Sequence, residues 1–495
     1  MRLSPRRVPD WPKLAWVARL TKGCETIEVL HGPMVETAQD WCVEAVWAGE
    51  FAAGDFDRTD LVFGTGVRCR GGKVVFVSSG TTDDRLWYCH HAGWWYVSNT
   101  LPGILAAAGL SLRDDYPNYS RDVATLARGL TKYVRNLPTQ STPLSVVFFS
   151  NLLYDGRTIT EIEKPDTAPH FAAFEDYRQF LFDTAARLGT NLRDAARTHR
   201  VTPLASISSG YDSATAATVA RRAGCTQTVT FMTATSLVSR WDSGAANAAR
   251  LGLACREYPR TAAVYTHEVK VWAAAGRPGE LNWTVLDFPE PLCLFFTGVH
   301  GDEMWSRKQL DLSDPFWRAE IDGFGICEFR LFKGVFHCAV PFWGCRRAQE
   351  IQAITFSKAM EPWARFTDYD RPIPTRLLEE VGLPRTEFAQ RKNNTSTEAP
   401  FLWPYSAEAR DLFAEYLKAR NISVPSSPWI ALARRAAVLD KLLYMNLLCR
   451  WGLDLGLRRW LASPATAMLF QWANFEVRAV YERGLQVLTL QQGVS

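Results

Sequence analysis

The hydrophobic pattern changes its period along the chain. From about 45 to 105, short apolar runs alternate with turn residues, as in LVFGTGVRCRGG, KVVFVSSGTTDD, RLWYCHHAG and WWYVSNT. This pattern predicts an antiparallel meander with Gly and Asp pairs at its turns. A polar, proline-containing connector, IEKPDTAPH, follows this region. After it, the segment FEDYRQFLFDTAARLGTNLRDAAR has the apolar spacing of a long helix.

Beyond Val201, short apolar runs alternate with helical segments. PLASIS, TVTFMTA and PLCLFFTG are predicted strands, whereas ATAATVARRAG and DSGAANAARLG are predicted helices. This order is typical of a parallel α/β sheet, and apolar helices are predicted from about 428 to 490. We therefore predict an α/β fold in which residues 170–495 form a parallel-sheet domain with a helical tail. Residues 1–165 are predicted to form a separate α+β domain.

Composition narrows the class of protein. A chain of 495 residues with 47% hydrophobic and 22% charged residues exceeds the usual size of a single core, which favours two domains. The net charge of +4 comes from dispersed basic residues, so no nucleic-acid partner is expected. No segment has the length and apolarity of a membrane span or a signal peptide, and the 11 cysteines form no CxxC pair. These features predict a cytoplasmic protein with reduced thiols and no membrane partner.

Residues 206–213, Ser-Ile-Ser-Ser-Gly-Tyr-Asp-Ser, lie between a predicted buried strand and a predicted helix. A loop in this position directs backbone N–H groups and the positive end of the helix dipole at a bound phosphate. The hydroxyls of Ser208, Ser209 and Ser213 add donors. Asp212 would repel a bare phosphate, which implies an intervening Mg²⁺ ion. The alternative is that these residues only form a turn and a helix cap.

The segment SSGYDS resembles the SGGxDS pyrophosphate loop of the N-type ATP pyrophosphatases. This group includes asparagine synthetase, β-lactam synthetase and the lasso-peptide cyclases. Ser208, Gly210, Asp212 and Ser213 match the motif, and Ser209 replaces its first glycine. The resemblance implies that these five residues bind ATP and its pyrophosphate. TVTFMTATS, about 20 residues further on, is similar to the strand whose backbone holds adenine in this group.

Two later segments resemble the same family in the same order. FTGVHGDEMW is similar to the SGEGxDE segment, which implies that Asp302 shares Mg²⁺ with Asp212 and that Glu303 supports them. The alternative is that these acids only cap a helix. The block from 368 to 400 resembles the stretch with an Arg-x-Lys motif, and Lys392 falls on the position of the lysine that stabilises the intermediate. The alternative for Lys392 is a solvated surface position.

Residues 62–105, VFGTGVRCRGGKVVFVSSGTTDDRLWYCHHAGWWYVSNTLPGIL, resemble the meander of the glutaminase domain in the same family, an Ntn-hydrolase-like fold. Family members that use glutamine begin with a nucleophilic cysteine whose own amine acts as the base. This chain begins Met-Arg-Leu-Ser, and its first cysteine is Cys24. We therefore expect a degenerate glutaminase-type domain that does not hydrolyse glutamine.

The acceptor side of the reaction needs a base. The family carries Glu or Tyr where this chain has Val299, so the adjacent His300 is one candidate; the alternative is that it bonds a neighbouring backbone group or a phosphate. Glu328 lies roughly where β-lactam synthetase carries the acid that partners its tyrosine, and it is a second candidate. No role is expected for His90, His91 and His337.

Together these resemblances imply an ATP-dependent ligase that forms an amide bond. It would convert a carboxylate and ATP to an acyl-adenylate and pyrophosphate, then transfer the acyl group to an amine other than ammonia. The substrate would be a peptide precursor, as in lasso macrocyclisation, or a small metabolite, as in lactam formation, and a partner protein is possible. The alternatives are an inactive ATP-binding scaffold and an enzyme that modifies a nucleic-acid base. The weak net charge disfavours the last of these.

Overall fold

The computed structural model describes residues 1–234, 240–260, 265–308, 323–367, 369–388, 401–446 and 464–492. Within these ranges the protein has a mixed α/β fold with sheets of seven, six and five strands and a two-stranded ribbon. The five-stranded sheet is entirely parallel, and the C-terminal part is helical. The predicted α/β class, parallel sheet and helical tail are confirmed.

The N-terminal part is built mainly of strands. They are β1 (Arg2–Arg7), β2 (Trp16–Thr21), β3 (Thr26–His31), β4 (Glu36–Thr37), β5 (Trp41–Trp47), β6 (Val62–Arg70), β7 (Lys73–Val77), β8 (Leu86–His91), β9 (Trp94–Ser98), β10 (Asn136–Leu137), β11 (Leu144–Val147), β12 (Asn151–Tyr154) and β13 (Ile159–Ile162). Helices α1 (Leu101–Ala108) and α2 (Tyr119–Ala124) interrupt them. The seven-stranded sheet has the order β1-β3-β2-β9-β8-β11-β10, and the six-stranded sheet has the order β13-β12-β7-β6-β5-β4.

The predicted antiparallel meander is correct in its hairpins but is divided between two sheets. Strands β5, β6 and β7 pair within the six-stranded sheet, whereas β8 and β9 pair within the seven-stranded sheet. The chain crosses between the sheets through residues 78–85, all of which are buried. Apolar side chains of both sheets share one core, which includes Trp16, Val29, Val67 and Phe76. Burial of these side chains explains why the two sheets are held together.

The rest of the chain supplies the parallel sheet and most of the helices. Its strands are β14 (Val201–Ser206), β15 (Gln227–Phe231), β16 (Thr233–Ala234), β17 (Arg240–Trp241), β18 (Ala254–Tyr258), β19 (Leu292–Thr297) and β20 (Val335–Ala339). Its helices are α3 (Phe174–Leu192), α4 (Tyr211–Ala220), α5 (Ala245–Arg250), α6 (Glu268–Ala275), α7 (Gly301–Met304), α8 (Phe329–Lys333), α9 (Ala348–Phe356), α10 (Pro372–Glu380), α11 (Ala407–Lys418), α12 (Ser427–Asn446), α13 (Pro464–Ala467) and α14 (Leu469–Gln492).

The parallel sheet has the order β18-β15-β14-β19-β20. The chain therefore moves outward from β14 in one direction through β15 and β18, and then in the opposite direction through β19 and β20. The direction reverses between β14 and β19, which form a topological switch point. In open α/β sheets, ligands bind outside the carboxyl ends of the strands at this point. A ligand site is therefore expected in the segments that follow β14 and β19.

Contacts between the N-terminal part and the parallel-sheet part are extensive. Helix α14 packs against both α1 and α6, and one hydrophobic core contains residues from both parts, such as Trp87, Phe148, Phe296 and Trp343. Strand β13 ends at Ile162 and α3 begins at Phe174, so the predicted boundary at 165–170 falls in the connector between them. The division into two domains remains a prediction.

Three buried charged side chains also join the two parts. Arg330 on α8 donates from Nη1 and Nη2 to Glu44 on β5, at 2.7 and 3.0 Å, and from Nε to Asp84 at 2.5 Å. Burial alone would lower the pKa of Arg330, but the carboxylates of Asp84 and Glu44 raise it above its usual value. The guanidinium is therefore charged, and it neutralises carboxylates that burial would otherwise make very costly.

No helix in the described ranges is both long enough and apolar enough to cross a lipid bilayer.

Candidate functional site

The loop that follows β14 is ordered by hydrogen bonds among its own hydroxyls. Ser208 Oγ lies 2.7 Å from Ser213 Oγ and accepts from the Gly210 N–H at 3.0 Å. Helix α4 begins directly after Gly210, and no side chain caps its N-terminus. The N–H groups of the first turn of α4 therefore point out of the carboxyl end of the sheet, which is the geometry that suits a phosphate. The structure thus brings the predicted residues Ser208, Gly210 and Ser213 together.

Ser209, which replaces the first glycine of the motif that this loop resembles, forms hydrogen bonds with Asp242. Its hydroxyl donates to Asp242 Oδ1 at 2.6 Å, and its backbone N–H donates to the Asp242 carbonyl oxygen at 3.1 Å. A Cβ on the nearby Gly244 would lie 2.7 Å from the Ser208 nitrogen, so Gly244 permits this close approach of the two segments. Ser209 therefore anchors the loop, because both of its donors already have a partner in the protein.

Asp212 and Asp302 meet at the switch point. Asp212 lies in the first turn of α4 after β14, and Asp302 lies in α7 after β19. Both carboxylates form ion pairs with one guanidinium, that of Arg371, through Asp212 Oδ2 and Asp302 Oδ1. The Arg371 side chain is 2% exposed, and burial lowers its pKa to about 9, so it is charged at neutral pH. Two carboxylates and one guanidinium leave this site with an excess of negative charge.

Two glycines that the sequence analysis did not consider hold these acids close together. A Cβ on Gly298 would lie 2.4 Å from the backbone of Asp212, and one on Gly301 would lie 2.2 Å from Asp212 Cγ. Any side chain at either position would displace Asp212. The loop after β19 therefore packs directly against the first turn of α4, and glycine is required at both contacts.

These acids fit a Mg²⁺ ion. Carboxylate oxygens are the ligands that Mg²⁺ prefers, and the ion commonly takes one or two of them together with phosphate oxygens and water. Asp212 Oδ1 is buried and has no hydrogen-bond partner among the described residues. In the same part of the chain, no group of three or more His, Cys, Asp or Glu side chains is arranged to hold a metal. An ion here would thus depend on these two carboxylates and on its ligand's oxygens.

His300 is buried beside the acids and faces a residue from the N-terminal part. It is 5% exposed, has a φ of 72°, and its Nε2 lies 3.2 Å from Asp83 Oδ1. Its Nδ1 lies 3.9 Å from Glu303 Oε2. The observed partner of His300 is thus a carboxylate, whereas the alternative from the sequence named a backbone group or a phosphate. Asp83, in the crossing segment between the two N-terminal sheets, was not identified from the sequence.

Other buried polar groups surround Asp83. His337 on β20 places Nδ1 3.3 Å from Asp83 Oδ2 and Nε2 2.8 Å from Thr297 Oγ1, although the sequence predicted no role for it. Glu280 accepts from the Gly323 and Gly325 N–H groups, and burial raises its pKa to about 7. The structure therefore forms a buried acid–histidine cluster behind His300.

Glu328 does not join this group. Both carboxylate oxygens of Glu328 accept hydrogen bonds at the start of α1, from Thr100 Oγ1 at 2.8 Å and from the Leu101 N–H at 3.1 Å. Burial raises the pKa of Glu328. Lys392, the predicted lysine of the intermediate, lies outside the described residues, and so do the last two residues of the predicted adenine strand, 235 and 236.

Arg371 is the charged residue that the sequence analysis missed. Two acids predicted at one site imply a cation between them, but many arginines could supply it. The segment Tyr-Asp-Arg-Pro at 369–372 marks the start of a helix, which fixes where Arg371 lies but not what it contacts. Gly298 and Gly301 are a clearer signal in the sequence, because glycines at the end of a strand often mark a close approach of two backbones.

Comparison with known proteins does not identify the chain: no protein-family model matches it, and no curated protein gives a significant match.

Proposed function

We propose that this protein is an ATP-dependent ligase of the asparagine-synthetase type, which forms an amide bond through an acyl-adenylate and does not use glutamine. The observation that carries the proposal is the convergence of Asp212 and Asp302 at the switch point of a parallel sheet. A loop at the N-terminus of a helix, beside two carboxylates, suits a phosphate chain that carries a divalent cation.

Each residue of the site has a role in this proposal. The first turn of α4, with Ser208, Gly210 and Ser213, would bind pyrophosphate, and Ser209 would hold the loop in place. Asp212 and Asp302 would hold Mg²⁺, which when bound neutralises the charge of the phosphates. The excess negative charge of the site would repel ATP without that ion. Arg371 is the protein's own cation at the same position, and it would donate to phosphate oxygens once ATP is bound.

The chemistry has two steps. An oxygen of the substrate carboxylate attacks the α-phosphorus of ATP, and pyrophosphate leaves. The amine then attacks the acyl carbon of the adenylate, AMP leaves with the electron pair of the broken bond, and the amine loses a proton. His300 would accept this proton at Nδ1, because its Nε2 faces Asp83. Lys392 would stabilise the charge of the intermediate.

The cysteines within the described ranges support the absence of glutamine hydrolysis. A thiolate is the nucleophile in that reaction, and burial in apolar surroundings disfavours it. Burial raises the thiol pKa of Cys42, Cys69, Cys89, Cys225, Cys255, Cys293, Cys327, Cys338 and Cys345. The partly exposed Cys24 contacts the Tyr154 hydroxyl, with 4.0 Å between Sγ and Oη. These surroundings do not favour a reactive thiolate.

A second candidate function is an inactive scaffold that binds ATP. Arg371 pairs with both acids that would hold the metal, and Ser209 gives both of its donors to Asp242. A guanidinium that stayed between the two acids would substitute for the ion and leave the phosphates unactivated.

Analysis of the nucleotide products separates the two functions. The protein is incubated with ATP, Mg²⁺ and pools of carboxylates and amines, and the nucleotides are separated. The ligase is expected to produce AMP and pyrophosphate that depend on a carboxylate. Production of ADP, or tight ATP binding without any cleavage, would contradict the ligase, and the second outcome would favour the scaffold.

Asp83→Asn tests the role of His300 as the base. The amide would no longer stabilise a protonated His300, so amide formation is expected to slow by about 10²-fold or more, while adenylation continues. The measurement compares amide formation with ATP–pyrophosphate exchange in the same preparation. His90→Gln, a change of an exposed histidine, is the control and should alter neither rate. Equal losses in both reactions would show that Asp83 acts on the fold and not on the base.

A further inference from the structure

Residues 369–371, Tyr-Asp-Arg, contact both halves of the candidate site, the phosphate loop and the two acids. We call them the 369–371 segment. Two hydrogen bonds hold this segment at Asp370. The Arg307 N–H donates to the Asp370 carbonyl oxygen at 2.9 Å, and the Phe366 N–H donates to Asp370 Oδ2 at 2.8 Å. The backbone is therefore held at Asp370, and the side chains on either side of it reach the site.

The hydroxyl of Tyr369 lies against the phosphate loop. A Cβ on Gly210 would be 3.5 Å from Tyr369 Oη, and the ring centroids of Tyr369 and Tyr211 are 4.9 Å apart. Burial and the carboxylate of Asp302 raise the pKa of the Tyr369 hydroxyl, whereas a hydrogen bond from the Tyr211 N–H opposes this rise. The Tyr369 oxygen thus accepts from the first N–H of α4, which is where a phosphate oxygen would be expected.

Two neighbouring N–H groups of the phosphate loop also have acceptors within the protein. The N–H groups of Ser209 and Gly210 donate to oxygens of nearby residues at 3.1 and 3.0 Å. With the Tyr211 N–H, three successive donors of this loop are therefore already used. A phosphate oxygen that reaches the Tyr211 N–H has to displace the Tyr369 hydroxyl.

The guanidinium of Arg371 takes the place that a cation would have between the acids. It pairs with Asp212 and Asp302, the two acids proposed to hold Mg²⁺, and the Arg371 side chain is 2% exposed. The guanidinium carbon also lies 5.0 Å from the ring centroid of Tyr369. The hydroxyl oxygen and the guanidinium therefore stand where a phosphate oxygen and its Mg²⁺ ion would lie, and the ring contact couples the two side chains.

We propose that the 369–371 segment is an internal competitor of Mg²⁺-bound phosphate, which closes the site until the side chains of Tyr369 and Arg371 swing away together. Arg371 then turns from the acids to the phosphate oxygens. A ligand that opens the site has to supply both an anionic oxygen for the loop and a cation for the two acids. Free Mg²⁺ or metal-free phosphate supplies only one of them, so the segment favours the complex over either part. This inference rests on the proposed nucleotide site and adds the regulation of that site.

Calorimetric titration with inorganic pyrophosphate and Mg²⁺ tests the proposal. Tyr369→Phe removes the competing hydroxyl, so the Kd of Mg²⁺-bound pyrophosphate is expected to fall about three- to tenfold. Tyr416→Phe, which removes a buried hydroxyl of α11 that lies 3.4 Å from Asp114 Oδ1, is the control and should leave the Kd unchanged. Equal or weaker binding by Tyr369→Phe, while wild type binds, would overturn the competitor and leave the nucleotide site intact. Absence of binding by all three proteins would overturn the nucleotide site, and this inference with it.

Mg²⁺ without phosphate tests the role of Arg371. Arg371→Met leaves the two acids without a countercharge, so Mg²⁺ alone is expected to raise the Tm of this variant by about 3 °C or more and to leave that of wild type unchanged. Arg178→Met removes an arginine that pairs with Glu380 away from the site, and it should respond as wild type does. An equal shift in wild type and Arg371→Met, or no shift in either, would overturn the proposal. The titration of Tyr369→Phe remains a test even if Arg371→Met does not fold.

Discussion

Asp212→Asn is expected to reduce ATP–pyrophosphate exchange by at least about 10²-fold, the loss typical when one preorganised electrostatic group is removed. The substitution keeps the shape of the side chain and removes the negative charge that would hold Mg²⁺ near the phosphates. Arg371 keeps its ion pair with Asp302 in the variant, so the fold should survive. Exchange is measured with radiolabelled pyrophosphate at saturating ATP.

Asp115→Asn is the matched control for this variant. Asp115 is exposed and pairs with Arg113 on the surface, so the same chemical change there should leave exchange unchanged. The double variant Asp212→Asn/Asp302→Asn should have an exchange rate only slightly lower than that of Asp212→Asn alone. The effects of substituting two groups that act on one ion are not additive. Full exchange activity in Asp212→Asn would show that this site does not take part in adenylation.

Arg330→Met is expected to lower the free energy of unfolding by about 3–5 kcal/mol, because it leaves two buried carboxylates without a countercharge. Glu44 and Asp84 come from the N-terminal part and Arg330 from α8, so the loss falls on the contact between the two parts. The free energy is measured by unfolding in urea. Arg330→Lys should lower the free energy of unfolding less than Arg330→Met does, because lysine keeps the positive charge and loses only the bidentate geometry of the guanidinium.

A control for Arg330→Met removes an arginine at the surface. Arg178 is 33% exposed and pairs with Glu380, so Arg178→Met should change the free energy of unfolding by less than about 1 kcal/mol. If Arg330→Met were as stable as wild type, the buried charges would not hold the two parts together. The apolar core that spans them would then be sufficient.

The sequence predicted the elements whose pattern is local. Strand β14, the phosphate loop and α4 follow each other within a short segment. Few other secondary structures are compatible with a short apolar run followed by an Ala-rich helical pattern. The strand β19 and the following acids were found for the same reason. Strand β18 is harder to predict from the sequence, because its residues Ala-Cys-Arg-Glu-Tyr lack both an apolar run and an alternating pattern.

Contacts between distant segments explain what the sequence missed. Asp83 lies in a Thr-Thr-Asp-Asp-Arg segment that looks like an exposed turn, yet every residue of it is buried. Its partner His300 is far away in the chain, and a single sequence does not reveal such a pairing. Arg371 was missed for the same reason, because the two acids that it contacts follow two different strands, β14 and β19, and are distant from it in the sequence. Glu328 is an acid at a plausible position that instead bonds the start of α1.

The measurement that tests the central claim most directly is ATP–pyrophosphate exchange by the wild-type protein, with Mg²⁺ and pooled peptides and small carboxylates. The account predicts exchange that requires both a carboxylate and Mg²⁺, and that is lost in Asp212→Asn. Tight binding of ATP without exchange from any pool would contradict the ligase and leave an ATP-binding scaffold.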